Sequence, residues 1–163
     1  MPNAVPIRIA DAVVTELNAN SFAIGAFTAV RSTGSWDKDF KGLDTMSVDV
    51  VYRKAGTTIN LLTRGSISYN VQIVIAVRKR FEPGDRDELT GEIKNASVDP
   101  FDTLVVDIAK LFISRRNATV LDDETEANYE PSEIKPMLAN EHFLRQGLYY
   151  GFVSLEFNYK QAL

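Results

Sequence analysis

The sequence of 163 residues contains no cysteine, one histidine and one tryptophan. The absence of cysteine excludes a disulfide framework and a thiolate metal site. Basic charge is also scarce: 18 Lys and Arg against 22 Asp and Glu give a net charge of −4. Generic binding to a nucleic acid backbone needs clustered Lys and Arg, so we do not expect it.

The apolar runs are too short to span a bilayer. No basic region followed by an apolar core opens the chain, so we expect no signal peptide.

The overall composition is that of an ordinary globular protein. Hydrophobic residues make up 45% of the chain and charged residues 25%, which is typical of a globular domain with a real core. The length suits one domain. We therefore predict a single domain over residues 1–163, and the sequence shows no internal repeat.

The strongest pattern in the chain is the stretch from Ser68 to Phe81. Its centre, from Val71 to Val77, is apolar on both faces of an extended chain, with Gln72 as the one polar break. A half-exposed strand alternates strictly, so this run predicts a central strand that is covered on both sides. The basic run that begins at Arg78 is expected to return the chain to water.

Further strands are predicted on either side of this one. The patterns indicate strands at Phe22–Arg31, at Thr45–Lys54 and at Gln146–Tyr159, and an edge or irregular strand at Ile134–Leu138, where Pro136 lies inside the segment. In Thr45–Lys54, strict alternation predicts one buried face and one mostly exposed face.

Two helices complete the predicted fold. The first runs from Pro6 to Leu17, with proline in the first turn, where a helix tolerates it. The second opens at Asp99-Pro100 and ends at Arg115-Arg116, with a wide apolar stripe that fits one face of a sheet. The predicted fold class is α+β: a twisted, mainly antiparallel sheet with the element order α-β-β-β-α-β and helices packed on it.

No pattern in the chain points to a catalytic, cofactor or metal site. His142 has no second histidine with which to share a metal, and a lone imidazole is more often structural. The acidic cluster Asp122, Asp123, Glu124 and Glu126 lacks the spacing and central glycine of a calcium loop. A solvated loop is its simpler interpretation. We accordingly expect no enzyme activity, no cofactor and no metal.

Apolar residues in segments expected to be exposed suggest partner contacts instead. A long excursion at about 53–66 joins two predicted adjacent strands, and it carries Ile59, Leu61 and Leu62 between two glycines. Phe143 and Leu144 precede the last predicted strand. Exposed apolar segments mark protein–protein contacts, although folding back onto the chain's own core explains them equally well.

The layout resembles the small neck proteins of tailed bacteriophages, above all the tail terminators. The resemblance covers most of the chain. It rests on the element order, on the helix that begins Asp-Pro-Phe at Asp99, and on two strings, Tyr69-Asn-Val-Gln-Ile-Val-Ile and Gly151-Phe-Val-Ser-Leu-Glu-Phe. It implies a non-catalytic virion protein, made in the host cytoplasm, that forms a hexameric ring. Such a ring caps the tail tube, meets the head–tail connector protein, and lets DNA pass without specific binding or contact with a membrane.

Two expectations about surfaces follow from this resemblance. The acidic cluster Asp122–Glu126, or the second cluster of Asp85, Asp87 and Glu88, would line the lumen of the ring. The excursion would reach a neighbouring subunit or the tube. Two alternatives stay open: a head-completion, adaptor, tube or baseplate protein of the same structural class, and a small enzyme or binding protein of unknown chemistry.

Overall fold

The computed structural model describes residues 3–34, 42–114, 119–120, 126–129, 135–138 and 141–162, and for the three short segments from 119 to 137 it describes only the backbone. The described residues form three α-helices: α1 (Val5–Ala19), α2 (Asn95–Ser114) and α3 (Glu141–Arg145). The strands are β1 (Ala29–Arg31), β2 (Ser47–Tyr52), β3 (Thr58–Thr63), β4 (Ser66–Arg80), β5 (Thr119–Val120), β6 (Glu126–Tyr129), β7 (Lys135–Met137) and β8 (Leu148–Ala162).

These strands form one open, twisted sheet, and the predicted α+β class is confirmed. Its order is β1-β2-β4-β8-β6-β5, while β3 continues the pairing along β4 and β7 pairs with β8. Among the described strands, only β1 and β2 run parallel to each other. β4 is the central strand, as predicted, because β2 and β3 flank it on one side and β8 pairs with its full length on the other.

The predicted element order lacks four elements that the structure contains: β3, β5, β6 and α3. The strand expected at Phe22–Arg31 is only β1, parallel rather than antiparallel to its neighbour. Phe22 instead stacks on Phe27 across a turn at Gly25, which has a φ of +105°. The side chain of Asn18 holds the backbone of Ala29 at both its N–H and its C=O, 2.8 and 3.1 Å away.

α2 begins four residues before the predicted start at Asp99, and Pro100 lies inside it. The first turn is anchored from a short 3-10 turn at Pro83–Asp85. Lys94 N–H donates to the carbonyl of Asp85, and the Ser97 hydroxyl donates to the Asp85 carboxylate at 2.9 Å. These contacts come from a residue ten positions before the helix, so the local pattern at Asp99 could not indicate them.

One hydrophobic core joins both long helices to one face of the sheet. α1 contributes Ile9 and Val13, α2 contributes Leu104 and Ile108, and all four are almost fully buried. They pack on the residues of β4 and β8 that point toward them: Val71, Ile73, Ile75, Val77, Val153, Leu155 and Phe157. Burying a side chain of this size contributes about 1.5–3 kcal/mol. This helix-covered face therefore supplies most of the apolar burial.

The opposite face of the sheet is less exposed than the sequence predicts. Asp49 and Val51 lie on the face of β2 expected to be mostly exposed, but they are 5% and 8% accessible. Arg78 was expected to begin the return to water, yet it is 8% accessible. Both predictions were wrong. Asp49 and Arg78 can be buried because they form an ion pair between β2 and β4, in which each charge is neutralised by the other.

Candidate functional site

The predicted excursion folds as a hairpin arm, which we define as residues 58–70: β3, its turn and the first part of β4. Pairing runs from Thr58–Asn70 to Thr63–Ser66, with a register shift after Leu61. The end of β8 continues alongside, from Tyr159 opposite Tyr69. The arm is therefore the outer part of the main sheet rather than a loose loop.

The arm exposes its apolar residues, as predicted. Ile59, Leu61 and Leu62 are 63%, 72% and 49% accessible, and every residue of β3 is exposed. Ile59 lies opposite Tyr69 and Leu61 opposite Ile67, so these two share one face of the arm. Within the described part of the chain, the outer edge of β3 pairs with no strand. An open edge of this kind presents unpaired N–H and C=O groups to a partner strand.

The root of the arm is fixed by a short 3-10 turn at Lys54–Gly56. Arg53 N–H donates to the carbonyl of Gln72 at 2.8 Å, and the Arg53 carbonyl accepts from Gly56 N–H at 3.1 Å. A Cβ at Gly56 would clash with Oε1 of Gln72 and would lie 2.9 Å from Cβ of Gln72. Only glycine fits there without displacing Gln72, so this turn packs closely on β4 at the root of the arm.

Phe143 and Leu144, the other candidate contacts, pack onto the chain's own body. Both residues lie in α3 and are half-buried. The Phe143 ring lies 5.4 Å from the ring of Tyr150, and Leu144 packs against the hydrophobic core. Their apolar surface is thus largely used within the chain, unlike that of the arm.

The acidic candidates are divided between two regions. Asp122, Asp123 and Glu124 lie outside the described residues, and only the backbone of Glu126 is described, in β6. In the second cluster, the Asp85 carboxylate accepts from Glu82 N–H at 2.8 Å and from Ser97. Asp85 therefore anchors local structure, while Glu88 is exposed.

Asp87 is held in the same loop by its own backbone neighbours. Its Oδ1 accepts from Leu89 N–H at 2.8 Å and from Thr90 N–H at 3.0 Å. The bond from Thr90, followed by that from Leu89, lowers the pKa of the carboxyl below its ordinary value of 3.8. Asp87 is thus ionised at neutral pH, and it fixes a turn that leaves Leu89 97% accessible.

His142 is an exposed residue of α3. Its Nε2 lies 3.2 Å from Nε2 of Gln146, and its ring meets Phe143 edge-on at 5.7 Å. Among the residues that the structure describes, no group of three or more His, Cys, Asp or Glu is placed to hold a metal ion. The described helices include none that is long and apolar enough to cross a membrane.

A buried ion pair lies on the face of the sheet opposite the helices. Arg78 Nη2 is 2.7 Å from Asp49 Oδ2, and the Ser47 hydroxyl donates to the same oxygen at 2.7 Å. Both charged side chains of this pair act electrostatically on the phenol of Tyr150. Its phenol has a raised pKa, chiefly because of burial, while Arg78 and Arg53 act in the opposite direction.

A second buried polar contact ties the last strand to α2. The Tyr149 hydroxyl donates to Asp102 Oδ1 at 2.7 Å, and Tyr149 is fully buried. Burial first, then the hydrogen bond to Asp102, raises the pKa of this phenol far above its ordinary value. The phenol stays protonated and acts as a permanent donor to the carboxylate.

A surface cavity of about 750 Å³ opens beside the buried ion pair, between the segment after β1 and the turn after β2. It is lined by Arg31, Ser32, Thr33, Gly34, Val51, Tyr52, Arg53, Lys54, Ala55, Val74, Tyr150 and Phe152. No local sequence pattern indicates this cavity, because its charged residues come from two separate segments, one at the end of β1 and one just after β2. Only the folded sheet brings them together.

No protein-family model matches the chain, and no curated protein matches its sequence.

Proposed function

We propose that this chain is a structural subunit of the tail terminator kind, which assembles with copies of itself into a ring that caps a phage tail tube. The observation that carries the proposal is the arm: an apolar hairpin, open at one edge, at the end of a firmly packed sheet. The two strings behind the resemblance form the centres of β4 and β8, the strands that build this sheet.

A ring needs a head-to-tail contact, in which one surface of a subunit meets a different surface of the next. The arm supplies one such surface in two ways. Its free backbone groups can extend a neighbour's sheet, and its exposed side chains at positions 59, 61 and 62 can be buried in the same contact. Burying each of these side chains would contribute about 1.5–3 kcal/mol at most.

The remaining partners belong to the same proposal. One face of the ring meets the tail tube protein and the other meets the head–tail connector protein, so the chain has a structural role in the virion. Its net charge of −4 suits a lumen through which DNA passes without being held. Exposed Glu88 and the acidic stretch from Asp122 to Glu126 are the proposed lumen residues.

The test is assembly after removal of the arm's apolar surface. Ile59→Ser, Leu61→Ser and Leu62→Ser are combined in one variant. A matched control combines Leu89→Ser and Ile113→Ser, which removes exposed apolar side chains outside the arm. Light scattering gives the mass of each protein, alone and with purified tail tubes.

We expect the wild type and the control to form a ring, alone or on the tubes, and the arm variant to stay at the monomer mass of 18.2 kDa. Circular dichroism should show the same fold for all three, since the replaced side chains are already exposed. Two results would count against the proposal: a wild type that is monomeric even with tubes, or an arm variant that assembles as the wild type does.

A further inference from the structure

The cavity beside β2 carries a charge opposite to that of the whole protein. Three of its lining residues are cationic, Arg31, Arg53 and Lys54, and no acidic residue is among the described residues that line it. Arg31 is already paired with Asp11 at 2.7 Å. Arg53 and Lys54 have no ion-pair partner in the described ranges. Among the described residues, the cavity therefore presents two positive charges without an ion-pair partner, in a chain whose net charge is −4.

The backbone that carries these residues is fixed on both sides of the cavity. Ser32 N–H donates to the carbonyl of Val50 at 2.9 Å, and Gly34 N–H donates to the Ser32 hydroxyl at 3.2 Å. Gly34 has a φ of +77°, and a Cβ there would lie 3.0 Å from a methyl of Val51. Together with the turn at Arg53–Gly56, these contacts make the rim a preformed feature, which reduces the ordering cost of binding.

Apart from Ser32 and Thr33, the other described lining residues are apolar or aromatic. Val51, Val74 and Phe152 come from three adjacent strands, and Tyr52 and Tyr150 add rings with hydroxyl groups. A volume of about 750 Å³ is within the range of pockets for small organic ligands. Aromatic walls accept a flat ring, whereas the cations at the rim accept an anion.

From this arrangement we infer that the cavity binds an organic phosphate monoester with an aromatic group, the chemical class of a nucleotide. A phosphate monoester carries a charge of about −1.5 to −2 at neutral pH, which matches these two cations. Arg53 offers a planar fork of donors for two phosphate oxygens, and Lys54 offers a point charge. The ring of the ligand lies against Tyr150 and Phe152. This site lies at the root of the arm but outside residues 58–70, so binding there goes beyond the proposed ring.

The experiment is calorimetric titration of the intact protein with adenosine 5′-monophosphate, adenosine and inorganic phosphate. We expect saturable binding of the monophosphate at one site per chain, with a Kd below about 1 mM. We expect adenosine to bind at least about tenfold more weakly, because it lacks the anion. Inorganic phosphate should also bind at least about tenfold more weakly, because it lacks the ring.

The decisive variant combines Arg53→Gln and Lys54→Gln, and should weaken the monophosphate about tenfold or more. Its matched control combines Arg64→Gln and Lys160→Gln, two exposed cations that do not line the cavity. Lys54→Gln alone serves if the double variant fails to fold. The inference is overturned if the wild type shows no saturable binding at about 5 mM monophosphate, or if the cavity variant binds as tightly as its control.

Discussion

Replacing Asp49 with alanine should destabilise this protein strongly, although aspartate is a short side chain that is usually exposed in proteins. Asp49 is 5% accessible, and its partner Arg78 is 8% accessible. Removing one member of a buried pair leaves the other charge uncompensated, at a cost of about 3–5 kcal/mol. For a domain of this size that is a fall in Tm of roughly 6–20 °C.

An exposed pair in the same protein provides the control. Arg31 and Asp11 are also 2.7 Å apart, but their side chains are 40% and 47% accessible. Screening by water limits such a pair to about 0–1 kcal/mol. Asp11→Ala should therefore change the free energy of unfolding by less than about 1 kcal/mol, so the two variants differ mainly in the burial of the charge that is left behind.

Urea unfolding followed by circular dichroism measures both variants. The slope of the transition should be unchanged, because only stability is altered. The double variant Asp49→Val with Arg78→Met should be more stable than Asp49→Ala, since it leaves no unpaired charge. If Asp49→Ala costs no more than Asp11→Ala, then Arg78 reaches water easily and our account of this sheet face is wrong.

Three further predictions concern single positions. Tyr149→Phe removes the 2.7 Å hydrogen bond to a carboxylate of α2, and should cost about 1.5–3 kcal/mol in urea unfolding. Gly56→Ala forces a Cβ to within 2.9 Å of the Gln72 Cβ and should cost about 1–3 kcal/mol, whereas Gly65→Ala, with nothing within 4 Å, should be nearly neutral in the same assay. The folded-state pKa of Asp87 is lowered, so its contribution to stability is present above its ordinary pKa of 3.8 and is lost as the pH falls through the folded value. Asp87→Ala should accordingly lose less stability than the wild type between neutral pH and pH values below 3.8, as followed by thermal unfolding.

Local patterns predicted the parts of the fold that depend on neighbouring residues. The apolar run of β4 identified the central strand, and helical spacing identified α1 and most of α2. The glycines on either side of residues 59–62 identified an exposed excursion. In each case, residues a few positions apart in the sequence also act together in the structure.

The features that local patterns did not predict depend on residues that are distant from each other in the sequence. The prediction that Arg78 is solvated was wrong because its partner Asp49 lies 29 positions away, on another strand. The start of α2 was misplaced because Asp85, outside the helix, holds its first turn. The cavity was missed for the same reason, since Arg31 and Arg53 come from separate segments.

The pairing of β4 with β8 sets a constraint on how the protein folds. Every residue of β4 has a partner in β8, and the side-chain bonds between them link positions 82 and 86 residues apart, at Gln72–Ser154 and Asn70–Glu156. The chain must close very large loops before these contacts stabilise it, which makes folding slow. During synthesis, β4 therefore cannot pair on its second side until β8 has left the ribosome. Until then β4, apolar on both faces, is an exposed aggregation hazard for a chaperone to shield.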